Sequence, residues 1–137
     1  MIILDTNVLS AVMGSEIPVV AWLDRQPRTS VWTTAITMLE VRYGLLSMPE
    51  DRRRGQREMV FAHLLGEKLE GRILPFDQEA AEQAATLMDV RRRAGRPGET
   101  RDTMIAGIAL AQRATLATRN IRHFDDLAVP VVNPWRA

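Results

Sequence analysis

The stretch MIILDTNVL, Met1 to Leu9, decides how the rest of the chain is read. Ile2, Ile3 and Leu4 form an apolar run too short for a helix, and two of the three are β-branched. Such a run suits a strand buried on both faces. Asp5-Thr6-Asn7 ends it, and apolar residues then resume at helical spacing. In open α/β sheets, ligands sit beyond the carboxyl ends of the strands, so Asp5 is expected at the rim of a site. The same three residue types also cap helices, where their side chains satisfy orphan N–H groups. Which role holds depends on whether other acids converge on Asp5.

Working outward, strand-like and helical segments alternate. Helices are expected over Thr6 to Met13, from Pro18 to about Gln26, from Thr33 or Thr34 to Leu46, from Arg53 to Leu69, from Asp77 to Ala94, and from Thr100 or Arg101 to Arg113. Between them, Thr29–Trp32, Arg72–Phe76, Thr115–Thr118 and Val129–Val132 are β-prone. This alternation predicts an α/β fold, a mainly parallel sheet with helices on both faces. At 137 residues, with no repeat or linker, a single domain spanning 1–137 is expected.

Composition narrows the function classes. An apolar fraction of 46% with 26% charged residues is that of a soluble globular protein. The absence of cysteine excludes disulfides and Cys-ligated zinc. With no secretory signal and no apolar run near membrane-span length, a cytoplasmic location is expected. The net charge of +1 hides a bias: of 18 basic residues, Lys68 is the only lysine. Two clusters, Arg52-Arg53-Arg54 with Arg57 and Arg91-Arg92-Arg93 with Arg96, suit phosphate and equally suit solvated helix ends.

Three acids and an amide are the candidate site. Glu40 lies in TTAITMLEVRYGLL, a helix apolar nearly all round, where spacing stacks it with Ile36 and Tyr43. A carboxylate there needs a cation or an arginine, Arg42 and Arg101 being the candidates. Asp102 lies in the first turn of RDTMIAGIALAQ, on the face of Ile105 and Ala109, a position that also favours an acid electrostatically. Asn120 follows the strand TLAT as Asp5 follows the first strand. Hard oxygen ligands gathered this way suit Mg²⁺ or Mn²⁺, which polarises phosphate and acidifies a bound water. Without a cation, three neighbouring carboxylates would raise one another's pKa values.

Four blocks in register carry a family resemblance: ILDTNVLS (3–10), the helix around LEVRYGL (39–45), GRP followed by RDTMIAGIAL (95–97, 101–110), and ATLATRN (114–120), with VNPW (132–135) closing the chain. The sequence resembles a PIN-domain ribonuclease, a VapC-type toxin of the FitB-like branch. The resemblance implies a PIN fold of about five parallel strands and Mg²⁺- or Mn²⁺-dependent endoribonuclease activity. It implies Asp5 and Asp102 as principal metal ligands and Glu40 as the third acid, direct or through water. It places Thr6 beside the first acid and Asn120 where many members have a fourth. The arginine clusters, or Arg119 and Arg122 near the site, would hold the RNA backbone. Relatives often have Asp where this chain has His123, which reads here as a surface substitution.

The resemblance also implies a homodimer and a small DNA-binding antitoxin, with Trp22, Met59 and Phe61 as candidate contact residues or as ordinary core. Asn120 in place of an acid leaves open a catalytically weak PIN-like module acting through its antitoxin and operator DNA. A phosphoryl-acceptor receiver domain fits less well, for Asp5 has no companion acid pair and no lysine lies near the chain end.

Overall fold

Every strand pairing in the computed structural model, which describes residues 1–137, is parallel. Strands β1 (Ile2–Leu4), β2 (Val31–Thr34), β3 (Ile73–Leu74), β4 (Thr115–Ala117) and β5 (Val131–Val132) form one five-stranded sheet in the order β3-β2-β1-β4-β5. Six α-helices connect them: α1 (Thr6–Met13), α2 (Ile17–Asp24), α3 (Ala35–Leu46), α4 (Arg52–His63), α5 (Gln78–Arg93) and α6 (Thr100–Gln112). No single helix is long and apolar enough to cross a membrane.

Alternation along β1 explains the two layers. Ile3 and Leu4 are both fully buried but enter different cores. Leu4 packs with Val8 and Leu9 of α1, Trp22 of α2 and Phe61 of α4, while Ile3 packs with Leu116, Leu87 of α5 and Ile105 of α6. Successive strand side chains point to opposite faces, so a central strand covered on both faces must be apolar at every position.

The strands are shorter than expected at their polar or proline ends. Pro75 ends β3 after two residues, and Pro130 delays β5 to Val131. A 3-10 turn at Arg28–Ser30 replaces the expected start of β2. Helix starts follow capping chemistry: the side chains of Thr34, Asp51 and Asp77 accept from the N–H three residues on. Helix α6 opens at Thr100, one of the two expected starts, and the Glu99 side chain caps it by accepting from the Asp102 N–H. The expected helix to Leu69 widens into a π turn at Leu64–Lys68.

Two contacts fix the layer of α5 and α6. Gly107 lets the helices touch, for a Cβ there would lie 2.5 Å from the Ala80 carbonyl oxygen and 2.8 Å from Ala84 Cβ. Arg91, only 5% exposed, forms a bidentate pair with Asp126, Nε to Oδ2 at 2.8 Å and the terminal nitrogen to Oδ1 at 2.9 Å. The same guanidinium donates to the His123 carbonyl at 2.8 Å and to Thr103 Oγ1 at 3.2 Å. It therefore straps the segment after β4 onto α5 and α6.

Two predictions follow from these contacts. Gly107→Ala, despite alanine's better helix propensity, is expected to destabilise by about 1–3 kcal/mol, because backbone oxygen cannot yield to the methyl group. A lowered Tm by circular dichroism checks this. The hydrogen bonds from Arg91 hold Asp126 below the ordinary carboxylate value. The pair thus adds stability above the unfolded-state pKa and loses it as pH falls through the depressed native one. Arg91→Ala is expected to cost about 3 kcal/mol at neutral pH and less in acid, measured by urea unfolding across pH.

Candidate active site

The strand order turns at β1, with β2 and β3 on one side and β4 and β5 on the other. Connections leave such a point in opposite directions, and a crevice opens at the carboxyl ends. Register pairs Leu4 with Ala117, so the next residues, Asp5 and Thr118, emerge side by side. Thr118 Oγ1 donates to Asp5 Oδ2 at 2.7 Å, and Asn7 Nδ2 donates to the same oxygen at 3.2 Å. Asp5 Oδ1 accepts from the Thr6 N–H at 2.8 Å, so Asp5 also caps α1. The cap and the position at the carboxyl edge of the sheet thus belong to one carboxylate.

Asp5 is 3% exposed. Burial pushes its pKa above the ordinary carboxylate value. Hydrogen bonds from Thr118 and the Thr6 N–H oppose this, and the charges of Asp102 and Glu40 push it up further. Asp102 and Glu40, the other two candidate acids, thus both lie within electrostatic reach of Asp5. They do not form a closed cage, however, for no three His, Asp or Glu side chains lie close enough to share one ion.

Glu40 reaches the crevice from α3. Its Oε1 accepts the Thr6 hydroxyl at 2.6 Å, and Thr6 Oγ1 lies 3.1 Å from that of Thr37. Arg101 Nε stands 3.8 Å from Glu40 Oε2, which settles the choice between the two candidate arginines. Arg42 instead lies over the Phe61 ring, 5.4 Å from its centroid. Tyr43, expected on the face of Glu40, is 66% exposed. Helix α3 is apolar nearly all round because Leu39, Tyr43 and Leu46 face outward while Ile36, Val41 and Leu45 face the core.

Asp102 enters from the first turn of α6, its Oδ2 3.0 Å from His123 Nδ1. His123 is exposed, as a surface substitution should be, and it is also the hydrogen-bond partner of a candidate acid, on the segment that Arg91 holds. The substitution at that position was its only sequence signal. Of the residues that hold the strap, Thr103 carried none, and Arg91 stood out only as part of an arginine cluster.

Other candidates fall outside this group. Asn120 is exposed at the start of a 3-10 turn, its backbone N–H donating to Thr118 Oγ1 at 3.1 Å, and no hydrogen bond joins its amide to the acids. Arg119 lies with Cζ 4.8 Å from the Trp135 ring centroid. The second arginine cluster is largely neutralised: Arg92 and Arg93 pair with Asp89, and Arg96 with Asp125. In the first, Arg54 pairs with Glu58 and Glu50. Trp22 and Phe61, candidates for a partner surface, are core residues at 4% and 0% exposure. Only Met59 of the three faces solvent.

Comparison with known proteins agrees with this arrangement. The family model described as PIN domain matches residues 2–130. The chain is 38% identical over 141 residues to the VapC ribonuclease Y4jK of Sinorhizobium fredii, covering 98% of each. It is 34% identical over 137 residues to Toxin FitB of Neisseria gonorrhoeae, covering 98% of this chain and 99% of that one. A solved structure of FitAB bound to the IR36 DNA fragment superposes with a TM-score of 0.89 at 33% identity, covering 98% of this chain and 96% of that one. With a parallel five-stranded sheet, acids gathered at its carboxyl edge and a family match along nearly its whole length, the chain belongs to the PIN-domain family.

Proposed function

We propose that this protein is a divalent-cation-dependent endoribonuclease and the toxin of a toxin–antitoxin pair. The observation that carries the proposal is the buried Asp5 carboxylate with the charges of Glu40 and Asp102 upon it. Helix capping explains one acid at this place; it does not explain two more arriving from other helices.

The donor set suits Mg²⁺ or Mn²⁺, which take hard oxygens, use one or two carboxylates and keep several waters. The lack of a three-acid cage is compatible with that preference. Asp5 and Asp102 would hold the ion, and Glu40 would reach it directly or through water. When bound, such an ion polarises a phosphate and makes water nucleophilic near neutral pH. The protein supplies orientation. Thr6 fixes one oxygen of Glu40, Thr118 and Asn7 fix Asp5 Oδ2, and His123 fixes Asp102 Oδ2. Asn120 and Arg119, at the rim, would contact the RNA backbone.

The relatives named ribonuclease and toxin support the activity, and the FitAB–DNA complex supports a partner protein that binds DNA. A second copy of this chain is the other proposed partner. Exposed apolar side chains supply the needed surface, Leu39, Tyr43 and Leu46 on α3 and Met59 and Val60 on α4. The exposed amide of Asn120, where many family members have an acid, favours the second reading, a binding module with weak catalysis.

The test uses purified protein freed of any partner. It is expected to cleave RNA with Mg²⁺ or Mn²⁺, to stop in EDTA, and to lose cleavage in Asp5→Asn. Cleavage that persists in EDTA or in that variant overturns the proposal. Thr6→Val is expected to lower the rate about 10- to 100-fold by releasing Glu40.

Stability is expected to move the other way. A carboxylate whose native pKa is raised binds its proton more tightly when folded, so its charged form costs stability as pH rises through that native pKa. Asp5→Asn keeps an acceptor for the Thr6 N–H and removes the buried charge. In EDTA at neutral pH its Tm is expected to equal or exceed that of the unaltered protein, with the difference vanishing in acid. Adding Mn²⁺ is expected to raise the Tm of the unaltered protein only.

A further inference from the structure

Beside the acids lies a cavity of about 450 Å³ between the end of β4 and the C-terminal tail. Arg119, Arg122, Arg136, His123, Asn120 and Trp135 line it, and no Asp or Glu does. We propose that this cavity seats one nucleotide of a single-stranded RNA, next to the bond that is cut. The inference rests on the ribonuclease reading and adds to it the place where the strand is gripped.

Charge is the first argument. Three arginines near Asp102 are paired, Arg91 with Asp126, Arg96 with Asp125, and Arg101 with Glu99 and Glu40. The three guanidiniums around the cavity have no carboxylate in its walls. Like charges gathered about one hollow are unfavourable until an anion enters, and guanidinium forks match phosphate oxygens.

Shape and chemistry of the floor are the second. Arg119 Cζ lies 4.8 Å from the Trp135 ring centroid. The indole is fixed, its Nε1 donating to Glu16 Oε1 at 3.2 Å and its backbone N–H to Asn133 Oδ1 at 3.0 Å. Indole and guanidinium planes are the groups on which unstacked bases lie. The Asn133 amide, whose Oδ1 accepts the Trp135 N–H, keeps its Nδ2 donors for a base edge. A base inside a duplex is already stacked and cannot enter such a seat.

Connection to the acids is the third. The Arg119 N–H donates to Asn7 Oδ1 at 3.0 Å, and Asn7 Nδ2 donates to Asp5 Oδ2 at 3.2 Å. On the other wall, His123 Nδ1 lies 3.0 Å from Asp102 Oδ2. Each wall of the cavity is therefore one side chain from a proposed metal ligand, and a strand seated here continues into the acidic crevice.

The experiment measures anisotropy of a short fluorescein-labelled single-stranded RNA with the full chain in EDTA, where cutting is stopped. Trp135→Ala is expected to weaken binding by roughly tenfold or more, and Trp135→Phe to restore most of it. Arg122→Gln and Arg136→Gln are each expected to lower the salt slope by about 0.7, and Trp135→Ala to leave that slope unchanged. Because Trp135 also packs against the core, the exposed Arg122→Gln/Arg136→Gln double variant carries the test if Trp135→Ala fails to fold. RNA affinity and salt slope unchanged in folded variants overturn the seat. So does duplex DNA binding as tightly as the RNA with equal losses in the variants. Cleavage of RNA by the unaltered protein with Mg²⁺ or Mn²⁺ is scored separately. Affinity lost in the variants without any cleavage by the unaltered protein supports the seat and removes the ribonuclease reading. Cleavage with unchanged affinity in the variants does the reverse.

Discussion

A carboxylate buried where two neighbouring parallel strands end is the constraint on which the rest of this molecule turns. Asp5 cannot move out to water, because its backbone N–H is held by Ala117 and its side chain is held by Thr118, Asn7 and the Thr6 N–H. Burial makes its charge costly, and two further acids make it costlier. A fold arranged only for stability would have an amide or an apolar side chain there. Strain kept at one place by an otherwise consistent structure is the usual mark of a functional site.

The surroundings of Asp5 divide into two arms. On one, Asn7 links its carboxylate to the backbone of Arg119 and so to the Arg119–Trp135 stack. On the other, Arg91 clamps the segment 123–126 against α5 and α6, and His123 then meets Asp102. Arg91 does this by a bidentate pair with Asp126 that is buried on the arginine side. A bidentate pair fixes angle as well as distance, so the imidazole is held in place although it stands at the surface.

Arginine serves two purposes in this chain. Where each guanidinium meets a carboxylate on a distant segment, as at Arg91 and Arg96, the side chain fastens one part of the chain to another. Where several meet none, as around the cavity at the end of β4, their charge remains available to a ligand. Clusters in the numbering did not separate these cases. The run Arg91-Arg92-Arg93 is absorbed by Asp126 and Asp89, while Arg119, Arg122 and Arg136 are scattered in sequence and gathered in space.

Local pattern by itself determined the alternation of strands and helices, the parallel sheet, and the positions of Asp5, Glu40 and Asp102 at element ends or on inward faces. These are properties of a segment and its periodicity, and burying an apolar run on both sides admits few architectures. Tertiary structure alone decided which groups touch. Asn120 follows a strand as Asp5 does, yet its amide makes no hydrogen bond to the acids, and only its backbone N–H meets Thr118, because the chain beyond β4 turns into a 3-10 segment. His123 reaches Asp102 because a guanidinium 32 residues earlier holds its carbonyl. Trp22 of α2 went inward while Tyr43 of α3 stayed out, since helices with little polar contrast between their faces are oriented by their neighbours. Contacts between residues far apart in the chain leave no periodic trace in it, and the chemistry of this site is made of such contacts.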